Sequence, residues 1–275
     1  MHQKRTHFQF NRDTLNVGLK IAVMAAFLAL TPGCASKTPG QPIKVDASDE
    51  QQTAAQDKGR RITSADQPDY LEPINRGIFK FNEVLDGMLL KPLVHIYWGV
   101  MPDFGQVAVR NILTNLSSPV VFLNSVLQGD APNAAKTLSR FVINSTVGIA
   151  GTFDVATKMG IEKEHKKDFG QTMGVYGAGT GTYIVIPLLG PSDARDTLGL
   201  VADVFSDPFN YIFTTDEALA RAAVAGVVRR GDAMPVTDRV YRDSLDPYTT
   251  LRSIYLQNRD KVVRDYRGVD ADTLK

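Results

Sequence analysis

Apolar residues recur along this chain at helical rather than strand spacing, and three breaks in the pattern divide it. An uninterrupted apolar run, Ile21 to Leu30, comes first. From Ala35 to Arg61 the only large apolar residues are Ile43 and Val45. That is too little surface to offset the entropy of ordering and predicts a flexible tether. At Asp69 the pattern changes again. Asp69-Tyr70-Leu71-Glu72-Pro73 has the features of a helix start: a capping Asp, an acid in the first turn and an early proline. Ile74, Ile78, Phe81, Leu85 and Met88 then mark one helix face, and Pro92 marks a stop or a kink. Further helices are expected over 103–116, 119–127, 132–147, 193–205 and 217–230, with a final one capped by Asp246-Pro247. In the 132–147 helix, Ala134, Leu138, Phe141, Val142 and Ser145 form the apolar face. Lys136, Ser139, Arg140 and Asn144 fall mostly away from it.

The stretch from Gly148 to Gly199 departs from this pattern and holds 10 of the 22 glycines, which favours irregular, closely packed backbone. Within it, Tyr183 to Leu189 reads either as a short β-branched strand or as an extended apolar loop. The expected fold class is mainly α. No segment after the first apolar run reaches the length of about 18 apolar residues that a membrane-crossing helix needs. The aromatics of His95-Ile96-Tyr97-Trp98 suit either a membrane interface or an ordinary core.

Composition narrows the function classes. The 275 residues carry 31 basic and 30 acidic side chains, which argues against a nucleic-acid binder working through phosphate neutralisation. One cysteine excludes an intramolecular disulfide framework and a multi-cysteine zinc site. Lys4, Arg5, Arg12 and Lys20 precede the Ile21–Leu30 run, the layout of a secretory signal. Thr31-Pro32-Gly33-Cys34 follows and resembles a bacterial lipobox, whose cysteine is acylated, although Thr31 stands where an aliphatic residue is usual. The alternative is plain signal cleavage with a free thiol. Removing residues 1–33 leaves 27 basic to 29 acidic side chains. The expected organisation is therefore a signal peptide over 1–33, a tether over 34–68, a helical domain over 69–267 and a tail over 268–275.

Catalytic signatures do not emerge. The chain has no G-x-S-x-G, no G-x-x-x-x-G-K-[ST] and no H-E-x-x-H. Gly177-Ala178-Gly179-Thr180-Gly181 lacks the lysine of a phosphate loop. His165 lies in Glu162-Lys163-Glu164-His165-Lys166-Lys167-Asp168, most simply a solvated charged loop. We expect no catalytic residues, no metal and no cofactor.

Three longer stretches line up in one order: Asp168-Phe169-Gly170-Gln171-Thr172-Met173-Gly174-Val175-Tyr176-Gly177, then Gly181 to Ser192, then Arg195-Asp196. Together with Leu71 to Arg76, Phe79 to Asn82, Asp86, Arg140 to Gly148 and Phe153 to Ala156, they resemble the MlaA (VacJ) lipoprotein family over about residues 69–258. Thr182 stands where a proline is expected. The resemblance implies a lipoprotein anchored through Cys34 in the inner leaflet of the outer membrane. Its fold would be a ring-like bundle of amphipathic helices around a central channel. It would pass mislocalised phospholipid to a periplasmic carrier of the MlaC type beside a trimeric porin, maintaining lipid asymmetry. The rival is a structural lipoprotein that binds porins without moving lipid. On this reading Phe81, Asn82, Asp86, Gly148, Gly151 and Phe153 are candidates to flank the lipid path. Asp168, Phe169, Gly170, Gln171, Tyr183, Pro187, Gly190, Pro191, Arg195 and Asp196 are candidates for fixing loops by hydrogen bonds and charge pairing.

Overall fold

The computed structural model describes residues 67–266. The expected signal segment, Cys34, nearly all of the tether and the tail lie outside the described residues. Helix α1 (Glu72–Leu85) opens with Pro73 in its first turn, and its capping region is closed by the Asp69 carboxylate, which accepts from the Leu71 N–H at 3.2 Å. A single π-turn, Asp86–Leu90, then leads into α2 (Lys91–Val100). Pro92 therefore does not stop the chain but sits in the first turn of α2. There its missing N–H costs little, and the π-turn just before it marks the change of register.

The two helices expected over 103–116 and 119–127 are one, α3 (Asp103–Leu127), with Pro119 inside it. Ser117 and Ser118 donate their hydroxyls to the Thr114 carbonyl at 2.8 and 3.1 Å, engaging backbone where the proline loosens the ladder. Helix α4 (Ala131–Thr146), capped by Asp130, packs back on α3 as the most extensive pairing in the fold. Short helices α5 (Val155–Lys158) and α6 (Phe169–Val175) follow. The ambiguous apolar stretch resolves as strand β1 (Tyr183–Ile186), antiparallel to β2 (Gly190–Asp193), with Tyr183 opposite Asp193 and Ile186 opposite Gly190. Then come α7 (Ala194–Ser206), α8 (Phe209–Ile212), α9 (Thr215–Asp243) and α10 (Pro247–Tyr266). Helix α9 starts with a reciprocal Thr214–Glu217 capping box and runs through Pro235, well beyond the expected end at 230.

A conventional apolar core forms where the hairpin meets α10: Tyr183, Val185, Tyr248 and Leu256 are buried together, with Ile78, Phe79 and Tyr255 packed against them. Helices α6 and α7 cross in backbone contact. A Cβ on Gly199 would stand 2.2 Å from the Gly170 nitrogen, so only glycine fits that crossing.

Candidate functional site

Away from that core the usual distribution of polarity is reversed. Among the described residues, 35 large apolar side chains are exposed, against 12 apolar and 17 polar or charged residues that are buried. Monomers in water rarely expose contiguous apolar patches beyond a few hundred Å², whereas Asn, Asp, Lys and Arg are seldom fully buried. The reversal follows the helix faces. Helix α3 buries Asn115, Ser118, Asn124 and Ser125 and exposes Phe104, Val107, Leu123 and Val126. Helix α4 buries Asn133, Thr137, Arg140 and Asn144 and exposes Leu138 and Val142. Of the residues expected to lie away from the apolar face of α4, Arg140 and Asn144 are thus buried against the rest of the protein, while Ser139 is exposed and Ala134 of the apolar face is buried. On α7, Arg195 is buried while Leu198, Val201 and Val204 face outward.

The buried polar groups are joined to one another. Asn115 donates to Ser145 at 2.8 Å and Asn133 to Ser125 at 2.8 Å. Asn124 donates to Asp203 at 2.9 Å and accepts from Thr172 at 2.8 Å, tying α3 to α6 and α7. Arg140 is the heaviest node. Its guanidinium meets both Asp154 oxygens at 3.0 Å and Glu164 at 2.6 Å, and donates to the Thr157 hydroxyl and the Ile161 carbonyl. Burial alone would raise the Asp154 carboxyl, but the hydrogen bonds from Thr157 and Arg140 outweigh it and hold the group at about 2. Each neutral bond nets only about 1 kcal/mol, yet leaving one member unpaired costs about 1–3 kcal/mol. The network therefore fixes the helices more by what its loss would cost than by what its bonds add. Two residues of the charged stretch 162–168, Glu164 and Lys167, belong to this network, while Glu162, Lys163, His165 and Lys166 are exposed as expected. Glu164 pairs with Arg140, and Lys167 is buried against Asp130 at 2.8 Å and Gln128 at 2.9 Å.

The path candidates fall into two groups held by different partners. On α1, Phe81 is exposed in line with Ile74 and Met88. Asn82 donates to the Ile186 carbonyl at 3.0 Å and accepts from the Leu188 N–H at 2.8 Å. Two turns earlier on the same face, Asn75 does the same for the Tyr183 carbonyl and the Val185 N–H. The two amides therefore supply the outer edge of β1 with the partners a third strand would have given. Asp86 is paired with Arg230 of α9, with a contact of 2.7 Å. The hairpin tip they hold, Pro187-Leu188-Leu189, presents exposed leucines, and Leu188 has φ 67°.

The second group is the turn after α4. Ile149, Ala150 and Gly151 have φ of 53°, 53° and 87° in succession, and a β-branched residue there is a true outlier. The turn is held by the Gly151 N–H on the Asn144 carbonyl at 2.8 Å and by the Phe153 N–H on the Gly148 carbonyl at 2.9 Å. A Cβ on Gly151 would stand 2.5 Å from that of Asn115. Ile149 and Phe153 project outward, 65% and 52% exposed. No spacing rule marks three successive left-handed residues, and sequence reasoning missed this strain, although it singled out the glycines.

The loop candidates converge elsewhere. Asp168 caps α6 through the Gln171 N–H at 2.8 Å and accepts a double contact from Arg259 at 2.8 and 2.9 Å. Asp196 accepts from Tyr255 at 2.6 Å and also pairs with Arg195 and Arg259. The Phe169 N–H donates to the Asp203 carboxylate at 3.1 and 3.2 Å. Gly190 and Pro191 open β2. Tyr97 is half-buried, while Trp98 lies along Gly231 of α9 and is 39% exposed. Among the described residues, no cluster of His, Cys, Asp and Glu could hold a metal ion. None of the described helices is long and apolar enough to cross a membrane.

A sequence model of the MlaA lipoprotein family matches residues 67–262. The chain belongs to the MlaA lipoprotein family. The MlaA-matched span takes in both the reversed helices and the conventional core. An uncharacterized protein of Rickettsia bellii is 36% identical over 197 residues, 71% of this chain and 77% of that protein. The intermembrane phospholipid transport system lipoprotein MlaA of Haemophilus influenzae is 31% identical over 210 residues, 75% of this chain and 84% of that protein. A solved structure, from work on the structural basis for maintenance of bacterial outer membrane lipid asymmetry, superposes with a TM-score of 0.65 at 30% identity. It covers 72% of this chain and all of its own.

Proposed function

We propose that this chain is an outer-membrane lipoprotein, anchored through acylated Cys34, whose helices lie in the periplasmic leaflet as a ring around a channel. Phospholipid that has strayed into the outer leaflet passes through it to a periplasmic carrier of the MlaC type, beside a trimeric porin, and asymmetry is restored. The observation that carries this reading is the reversed burial. A body with apolar side chains outward and hydrogen-bonded polar side chains inward suits a surround of acyl chains and a passage for headgroups. Helices suit it because every backbone group must find an internal partner there. Fully burying a Val, Leu, Ile or Phe side chain is worth about 1.5–3 kcal/mol. Half-burial of ten of the 35 exposed side chains would thus contribute about 10 kcal/mol, enough to seat the domain in a leaflet without a spanning helix. The strained turn at Ile149–Gly151, in the second group of path candidates, and the hairpin tip held by Asn82 of the first are places where backbone strain is retained. No catalytic step is assigned to any residue.

The test is vesicle reconstitution with labelled phospholipid and a carrier of the MlaC type as acceptor. Transfer that depends on this chain and releases no fatty acid is the expected result. Lipid that stays in the vesicles while the chain still binds porin would establish the structural rival instead, and released fatty acid would establish a hydrolase.

A further inference from the structure

A cavity of about 210 Å³ opens between α3, α4, α9 and the 154–166 connection, and polar or charged residues alone line it. Its floor is Asn115 and Ser118, both buried. Of the four cations on its wall, Arg140 is committed to Asp154 and Glu164, and Arg110 to Asp232 at 2.6 Å. Lys163 and Lys166 are exposed and have no ion pair among the described residues. With Asp154, Glu164 and Asp232 as its carboxylates, the wall carries one net positive charge. The cavity lies below the ~300 Å³ lower end of drug-sized pockets, yet holds about seven times the ~30 Å³ share of one water. It has room for a small polar group and none for an acyl pair. The strained turn abuts it: Gly151 rests on Asn115, and the Asn111 amide donates to the Thr152 carbonyl at 3.2 Å. Ile149 and Phe153, both exposed, are the large apolar residues of that adjoining turn.

A small polar cavity with one surplus positive charge and an apolar turn beside it fits an amphiphile with a single anionic head. We propose that this cavity holds the phosphodiester headgroup of a membrane phospholipid, with Lys163 and Lys166 as its counter-charges and the acyl chains leaving over Ile149 and Phe153. This rests on the lipid-passage reading and gives that passage a resting site. The two lysines left without a carboxylate partner among the described residues make the phosphate, rather than the alcohol beyond it, the group recognised.

The experiment places a photocrosslinking amino acid at Thr114, on the cavity wall, or at Phe153, on the adjoining turn, in the full-length chain in cells grown on labelled phosphate. Phospholipid captured at both positions is expected. Lys163→Glu with Lys166→Glu should cut capture at Thr114 about tenfold, the scale of one charge-assisted hydrogen bond, while Lys163→Arg with Lys166→Arg retains it. Both lysines are exposed, and an unchanged melting temperature in detergent shows that the charge-reversed chain is folded. Capture at Phe153 but not at Thr114, or capture at Thr114 indifferent to charge reversal, overturns the headgroup site and leaves lipid passage standing. Capture at neither position counts against lipid passage itself. Purified chain loaded with phospholipid is then challenged with inorganic phosphate and with glycerophosphoethanolamine at millimolar levels. Retention of the lipid is expected, and displacement by either would show a free-anion site and overturn the requirement for a tail.

Discussion

The Asn82 side chain clasps the backbone of Leu188, accepting its N–H at 2.8 Å while donating to the Ile186 carbonyl at 3.0 Å. The clasp holds a leucine in the left-handed region, at φ 67°, a conformation that costs roughly 1–2 kcal/mol outside glycine. Removing it should free the hairpin tip. Asn82→Ala is expected to lower stability by about 1 kcal/mol, the net worth of such bonds. Asn82→Asp, which keeps the acceptor for Leu188 and loses the donor for Ile186, should fall between. Thermal unfolding in detergent ranks the three proteins. If Asn82→Ala unfolds with the parent and is cleaved no faster at residues 187–189, the clasp does not hold the tip.

Arg140 offers a larger effect. Its side chain is only 6% exposed and faces two carboxylates. Arg140→Met would leave Asp154 and Glu164 close together without their counter-charge, a loss of about 3–5 kcal/mol for a broken buried pair. Low yield or a strongly lowered melting temperature is expected. Adding Asp154→Asn and Glu164→Gln to Arg140→Met should recover part of it, because the repulsion is removed together with the pair. No recovery in the triple variant would show that Arg140 acts through its bonds to Thr157 and the Ile161 carbonyl instead.

These two sites show where sequence reasoning succeeded and where it stopped. The helices were legible because each carries its own 3.6-residue alternation, and Asn82 and Asp86 stood out as polar positions beside an apolar stripe. The same alternation does not say which face meets the protein. On α4 the apolar face carrying Leu138 and Val142 is outside and Arg140 is inside, an outcome the period alone leaves open. Pro119 misled because a proline costs about 3 kcal/mol in an average helix interior, yet here it sits inside a 25-residue helix packed along α4. The cavity beside Asn115 draws its walls from α3, α4, α9 and a loop far apart in sequence, and Lys163 and Lys166 gain meaning only from that assembly.

Ile149 should be dispensable for folding. With φ 53° it occupies a region that glycine enters freely. Ile149→Gly is therefore expected to leave stability unchanged or to raise it by up to about 1 kcal/mol, offset in part by the greater entropy of the unfolded glycine chain. Under the proposed function the same change should slow phospholipid transfer, because it removes an exposed apolar side chain and loosens the turn. Stability and transfer moving together, both down, would mean that Ile149 is an ordinary packing residue.

The last expectation concerns pH, and its sign comes from burial. Burial pushes the Asp203 carboxyl up to about 6, against the N–H of Phe169 and the amide of Asn124, which favour its charge. Asp193 is raised to about 6 as well, by burial and by the neighbouring charge of Asp196. A carboxyl whose folded value exceeds its unfolded value of about 3.9 binds protons more readily in the native state. Its contribution to stability is fully present below pH 4, is lost as pH rises through 6, and changes little above that. Asp154 works in the opposite sense, since its folded value of about 2 makes its contribution fall away as pH drops from 4 to 2. Stability should therefore be greatest at roughly pH 3.5–4 as far as these three groups decide it. The fall toward pH 7 should amount to no more than about 2 kcal/mol for each of Asp193 and Asp203. Asp203→Asn sacrifices one acceptor at every pH, a constant offset, but it also removes one of the two titrations. Denaturant unfolding at pH 4.5 and pH 8 should show the variant losing less stability than the parent across that interval. Equal losses would mean that the Asp203 carboxylate is already ionised in the folded protein at pH 4.5, with its partners outweighing its burial.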